Sequence, residues 1–212
     1  MDTHPLTDSR LDSIPVEECG EPLVDVGRVA TLAVDPRLRQ RTGSSTRLRG
    51  TIVDRLVTAQ SLLPRGLRLL IVEGHRSADR QREHFDECVA MLAAAHPDWS
   101  RNRVLEEAGW HCSPSGTAPH LTGAAADLTL CDARGVELDL GSAVHADPTG
   151  AVRIGAVARA HRDTLGTALS RAGLINLPTA WWHWSFGDPY WALVTGARAA
   201  IYGPVEPMST KD

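Results

Sequence analysis

The sequence lacks the marks that would send a chain to a membrane or to nucleic acid. It contains no run of about 18 apolar residues, so no transmembrane helix is expected. Its net charge of −4 includes no basic block, which argues against nucleic acid or an anionic membrane surface as a partner. The opening MDTHPLTDSRLDSIPVEECGEP carries acids and prolines where a secretory leader would carry basic residues and then an apolar run, so the cytoplasm is the expected setting. The four cysteines, Cys19, Cys88, Cys112 and Cys131, form no C-x-x-C pair. They read as buried or free thiols in a reducing compartment rather than as a disulfide framework. Common catalytic signatures are missing too: no H-E-x-x-H, no G-x-S-x-G, and no P-loop or G-x-G-x-x-G at a strand–helix junction. Chemistry must then come from isolated polar residues at the ends of elements.

What is present suits one globular unit. A chain of 212 residues is long enough for one domain with a sizeable core and hardly for two. Residues 1–21 read as a polar, poorly ordered lead-in, residues 22–206 as the domain and residues 207–212 as a tail. The run at 35–50 is an Arg-, Gly- and Ser-rich loop. From Thr51, apolar residues at Ile52, Val53, Leu56 and Val57 predict a helix ended by Pro64. GLRLLIVEG has the pattern of a buried strand. Ser77 caps a long helix carrying Phe85, Cys88, Val89 and Leu92 on one face, and Ser100 caps a shorter one. GAAADLTL is a second buried strand, and residues 154–172 are a helix on Ile154, Val157, His161, Leu165, Ala168 and Leu169. The last strands are expected around LINL and WWHWSF. With no internal repeat and no linker, the fold class is α+β in a single domain.

Three places could carry chemistry. In PHLTGAAAD, His120 stands where a loop enters a strand and Asp127 lies seven residues on, among small side chains. An aspartate in an apolar strand is costly unless it is paired or bound to a cation. A strand-end histidine and a hydrogen-bonded aspartate is the plainer reading of that pair alone. His183, within WWHW, could equally pack in an aromatic cluster. Together, two histidines and an aspartate suffice to hold Zn²⁺ with a fourth position open. Arg76, just before a helix start, opposes the helix dipole and so hints at an anionic partner.

These pieces have a familiar order. VEGHRSADRQREHFDE, then APHLTGAAADLTL with ELDLGSAV, then PTAWWHWSFGDPYWAL resemble the zinc-dependent D-alanyl-D-alanine dipeptidases, relatives of the vancomycin-resistance dipeptidase. The H-x-x-G-x-A-x-D pattern is His120, Gly123, Ala125 and Asp127, and it is joined to W-W-H. The resemblance implies a central, mostly antiparallel sheet flanked by helices, with one Zn²⁺ per chain in the sheet cleft on His120, Asp127 and His183. It also implies that Arg76 polarises the scissile carbonyl or its oxyanion, and that the substrate is a small dipeptide such as D-Ala-D-Ala.

The departures from the family pattern concern the same site. Ala180 stands where the family has the glutamate that serves as general base. His75 replaces a tyrosine, Ala118 a serine, and His145 falls about where an acid would meet the substrate ammonium. Ala180 can mark an inactivating substitution, a member that lost turnover but kept metal and ligand, or an enzyme in which another group such as His75 moves the proton. The expected activity is weak or absent. The alternative is a zinc-binding homologue that binds or processes a different small peptide or amide.

Overall fold

The computed structural model describes residues 4–37, 45–114, 116, 118–146 and 154–205. The tail at 207–212 and the tip of the 35–50 loop lie outside the described residues. Seven strands and five α-helices are present among the described residues. A two-stranded antiparallel sheet pairs β1 (Leu23–Asp25) with β3 (Arg47–Arg49). The central sheet has five strands: β2 (Ala33–Val34), β4 (Leu67–Glu73), β5 (Ala125–Asp132), β7 (Ala180–Ser185) and β6 (Ile175–Leu177), in that spatial order. Only β2 and β4 run parallel; the other three pairings are antiparallel. The expected α+β fold with a mostly antiparallel sheet is what the chain adopts.

The alternation along β5 separates core from site. Ala124, Ala126, Leu128 and Leu130 join the main core, to which α1 (Gly50–Leu62) adds Ile52, Val53, Leu56 and Ala59. Helix α4 (Ala156–Arg171) adds Leu165, Ala168 and Leu169. Asp127 has the opposite parity and so faces away from that core, as period-two side-chain alternation requires. Across the sheet from α1, helix α2 (Ala78–Ala95) and α3 (Arg101–Ala108) build a smaller cluster on Cys88, Leu92, Val104, Ala108 and Cys112. Ser77 and Ser100 accept from Arg80 N–H and Arg103 N–H, the N-caps expected of them.

Four expectations need correction. The lead-in is not loose over residues 4–21. Leu6 and Leu11 are buried, and Glu18 pairs with Arg49 at 3.1 Å. Apolar side chains spaced along a polar segment gave no periodic signal, yet each finds a slot in the domain. Arg47–Arg49 is not loop but strand, held by pairing to β1 that composition does not reveal. On α4, Val157 is exposed and Ala158 takes the inward position. Lastly, α5 (Pro189–Thr195) follows β7 where no helix was anticipated. Pro189 opens it, and Asp188 accepts from Trp191 N–H at 2.6 Å.

Candidate functional site

Strand register assembles the site. Glu73 on β4, Asp127 on β5 and His183 on β7 are direct cross-strand partners, forming one row over three adjacent strands. Glu73 reaches that row because β4 carries an irregularity between Ile71 and Glu73. An extra residue in one strand re-aims the side chains after it. Without the shift, Glu73 would share a face with Leu69 and Ile71, which lie in the main core.

His120 enters from a 3-10 turn, Pro119–Thr122, that leads into β5. Gly123 ends the turn at φ 68°, and a Cβ there would meet Leu23 Cδ2 at 2.3 Å. Only glycine satisfies both the left-handed backbone and that close approach. Arg49 N–H donates to Gly123 O at 2.8 Å, and its Nε–H donates to Thr122 O at 2.8 Å, pinning the turn. Arg76 N–H donates to His120 O at 3.1 Å, so the two backbones are joined directly.

Asp127 is the hub. Its Oδ1 lies 2.9 Å from His183 Nδ1, and its Oδ2 lies 3.2 Å from His120 Nε2 and 2.6 Å from His145 Nε2. Arg76 Nη2 stands 3.9 Å from the same carboxylate. Burial disfavours the charged carboxylate, but the surrounding histidines outweigh it and hold the group well below the usual range. Arg76 is itself fixed by Glu73, donating Nε–H at 2.9 Å and Nη2–H at 2.7 Å, while Nη1–H donates to Gln81 Oε1 at 2.9 Å. Burial pushes the Glu73 carboxyl up, and the bidentate arginine more than reverses this, leaving it below its ordinary value.

The donor set fits a cation. His120 Nδ1 is 2.7 Å from Gly74 O, and a carbonyl can only accept, so Nδ1 carries the hydrogen. In the neutral ring Nε2 is then a lone pair aimed at Asp127 Oδ2, itself an acceptor. Two acceptors at 3.2 Å call for a positive charge between or beside them, either a proton or a metal ion. His183 Nε2, on the far side of its ring, is buried with no hydrogen-bond partner among the described residues. His120, Asp127 and His183 could together hold one ion. A second combination, Glu73 with Asp127 and His145, is also close enough. Its glutamate is already committed to Arg76, so the first set fits better.

A cavity of about 340 Å³ opens over this row. Arg76, His120, Asp127, Ala180 and His183 all line it. Ala180, at the start of β7, is buried and places only a methyl group on the wall. His75 is not among the lining residues, whereas His145 is. His145 holds a positive φ of 61°, the only non-glycine among the described residues to do so. Such backbone strain persists where surrounding contacts over-determine it, and here the ring is held on Asp127. Composition and spacing did not disclose Glu73, Gln81, Ser142 or Arg162 as site residues. A charged residue ending the apolar run LRLLIVE was the one available signal, and it pointed to Glu73.

Comparison with known proteins follows the same residues. The sequence model of the D-ala-D-ala dipeptidase family matches residues 49–195, which contain the whole row and its arginine. The chain belongs to the D-Ala-D-Ala dipeptidase family. This dipeptidase relative is 26% identical, over 240 aligned positions, to a D-alanyl-D-alanine dipeptidase of Synechocystis sp.. That alignment takes in 92% of this chain and 96% of the cyanobacterial one. A solved structure of VanYB in complex with D-alanine-D-alanine is 16% identical, covering 83% of this chain and 84% of that one, at a TM-score of 0.44. The chain is thus a peptidase-family protein of dipeptidase type. No helix among the described residues is long and apolar enough to cross a membrane.

Proposed function

We propose that this chain binds one Zn²⁺ through His120, Asp127 and His183 and takes a small dipeptide of the D-Ala-D-Ala class. The observation that carries the reading is the confrontation of His120 Nε2 with the Asp127 carboxylate, with the histidine tautomer already set by Gly74. When bound, zinc supplies Lewis acidity toward a carbonyl oxygen and a lowered pKa for water. The chain's own residues supply position and charge. Arg76 is held by Glu73 and Gln81 in one orientation, so its remaining N–H hydrogens are pre-aligned for a carbonyl oxygen or the negative charge that develops on it. Trp181 and Trp182 wall the cavity and limit water around a bound peptide.

Ala180 is the weak point of the proposed machinery. A methyl group neither takes nor passes a proton, and a positioned general base is worth about 10²–10⁴ in rate. The chain as it stands is therefore a binder with weak turnover or none. The cytoplasm is the proposed setting, supported by four free thiols. We place the domain at residues 22–206, and the buried Leu6 and Leu11 attach the lead-in to it.

The second reading keeps the metal and changes the ligand to a different small peptide or amide. It is favoured by His145, which occupies the hydrogen-bond position on Asp127 at 2.6 Å, with no further acid among the described residues lining the cavity. The test is zinc stoichiometry by equilibrium dialysis, alongside hydrolysis of D-Ala-D-Ala by the chain and by its Ala180→Glu variant. One zinc per chain, lost in His183→Ala, is expected. A metal-free protein after dialysis against zinc would sink the proposal.

A further inference from the structure

The charges lining the cavity are unbalanced. Among the described residues on its wall, Asp127 is the only carboxylate, and all its short contacts go to histidines and Arg76. Among the described residues no acid is left over for a substrate ammonium. On the other side stands Arg162, from α4. Its Nε–H donates to Leu140 O at 2.7 Å and its Nη2–H to Ser142 Oγ at 3.2 Å. Trp181 lies 5.0 Å from its guanidinium carbon and also donates its Nε1–H to Ser142 Oγ at 2.9 Å. Among the described residues no carboxylate forms an ion pair with Arg162, although it is half-buried. Burial lowers its pKa, as expected of a cation moved from water without a counter-charge. Buried structural arginines elsewhere in the chain do have such partners, Arg49 with Glu18 and Arg76 with Glu73.

We infer that the cavity selects a ligand whose amino end is blocked and whose carboxylate pairs with Arg162: an N-acylated dipeptide or acyl-amino acid rather than a free dipeptide. An acyl group removes a positive charge that would meet Arg76, Arg162 and a cluster of histidines, with Asp127 the only acid among the described lining residues and already engaged. It also suits the apolar positions Leu6, Met91 and Leu177 on the same wall. A carboxylate gives Arg162 a counter-ion that no described residue supplies, in the geometry guanidinium groups favour. This inference rests on the metal-site reading above and narrows its substrate.

The test is calorimetric binding to the zinc-loaded full chain. Three probes are compared: D-Ala-D-Ala, N-acetyl-D-Ala-D-Ala and N-acetyl-D-Ala-D-Ala amide. The acetylated acid is expected to bind roughly tenfold or more tightly than either of the others, the scale of one charge-assisted contact. Arg162→Gln should weaken the acid by a similar factor and leave the amide unchanged. The acid–amide pair on the unaltered chain decides the matter even if that variant folds poorly. Equal or tighter binding of the free dipeptide, or no difference between acid and amide, overturns the inference. If all three fail to bind a chain carrying one zinc, the inference falls and the metal site stands. If zinc itself does not bind, the underlying reading fails and this inference falls with it.

Discussion

The two walls of the cavity are built differently. On the sheet wall, Glu73, Asp127 and His183 sit on paired strands, and Arg76 and His120 are tied to them, with hydrogen bonds as short as 2.7 Å. The facing wall comes from α2, the segment after α3, the loop after β5 and the first half of α4. It holds His84, Cys112, Ser142 and Arg162 through sparser contacts, such as the 3.6 Å approach of Cys112 Sγ to His84 Nε2. The sheet wall carries the residues proposed to hold the metal. The facing wall carries Arg162, on which the inferred ligand preference rests. A rigid strand scaffold thus keeps one geometry, while helices and loops opposite it can change the ligand without disturbing the row.

The largest expected effect would restore the sheet wall. Ala180→Glu should raise hydrolysis of D-Ala-D-Ala or its N-acetyl form by about 10²–10⁴, measured on the zinc-loaded protein. No change would mean that the facing wall, not the missing base, limits turnover. Next is Glu73→Gln, which takes the bidentate carboxylate from buried Arg76 and leaves only Asp127, 3.9 Å away, as a counter-charge. Removing one partner of a buried pair costs about 3–5 kcal/mol, to be read from urea unfolding. A cost near zero would show that the sheet wall is less rigidly defined than its contacts indicate.

A smaller effect is expected at the end of the scaffold. Asp188→Ala removes the α5 cap and should cost about 0.5–2 kcal/mol. Asp188→Asn should cost less, since burial already raises that carboxyl's pKa and an amide oxygen can still accept from Trp191 N–H. The same urea midpoints check both.

An effect that appears only as pH falls belongs to the facing wall. Burial, with Arg76 and His145 adding like charge, lowers the His84 pKa from 6.5 to about 3. The unfolded chain therefore takes up that proton first as pH falls. Stability is fully present above pH 6.5 and declines from there toward pH 3. His84→Gln should flatten the stability profile between those limits. His75, lowered by burial to about 4, contributes a parallel slope that the variant leaves in place. An unchanged profile in His84→Gln would remove His84 from the account.

Much of this was legible in the residues. Helix periodicity placed α1 and α2, apolar runs bounded by glycines placed β4 and β5, and the serine caps marked the starts of α2 and α3. His120, Asp127 and His183 stood out because polar side chains among alanines and tryptophans need a reason to be there. Glu73 did not stand out, because a glutamate ending a strand is ordinary until the strand beside it is known. Arg162 resembled any polar residue on an amphipathic helix, and Leu6 and Leu11 gave no period.

The sequence by itself determined the long helices α1, α2 and α4, the buried strands β4 and β5 and which family the chain resembles, because these rest on periodicity and motifs read within short windows. The tertiary structure decided the row Glu73–Asp127–His183, the irregularity in β4 that completes it, the seat of His145 on Asp127 and the place of Arg162 on the cavity wall. Those depend on strand register and on contacts between segments far apart in the chain, and local spacing carries no record of either.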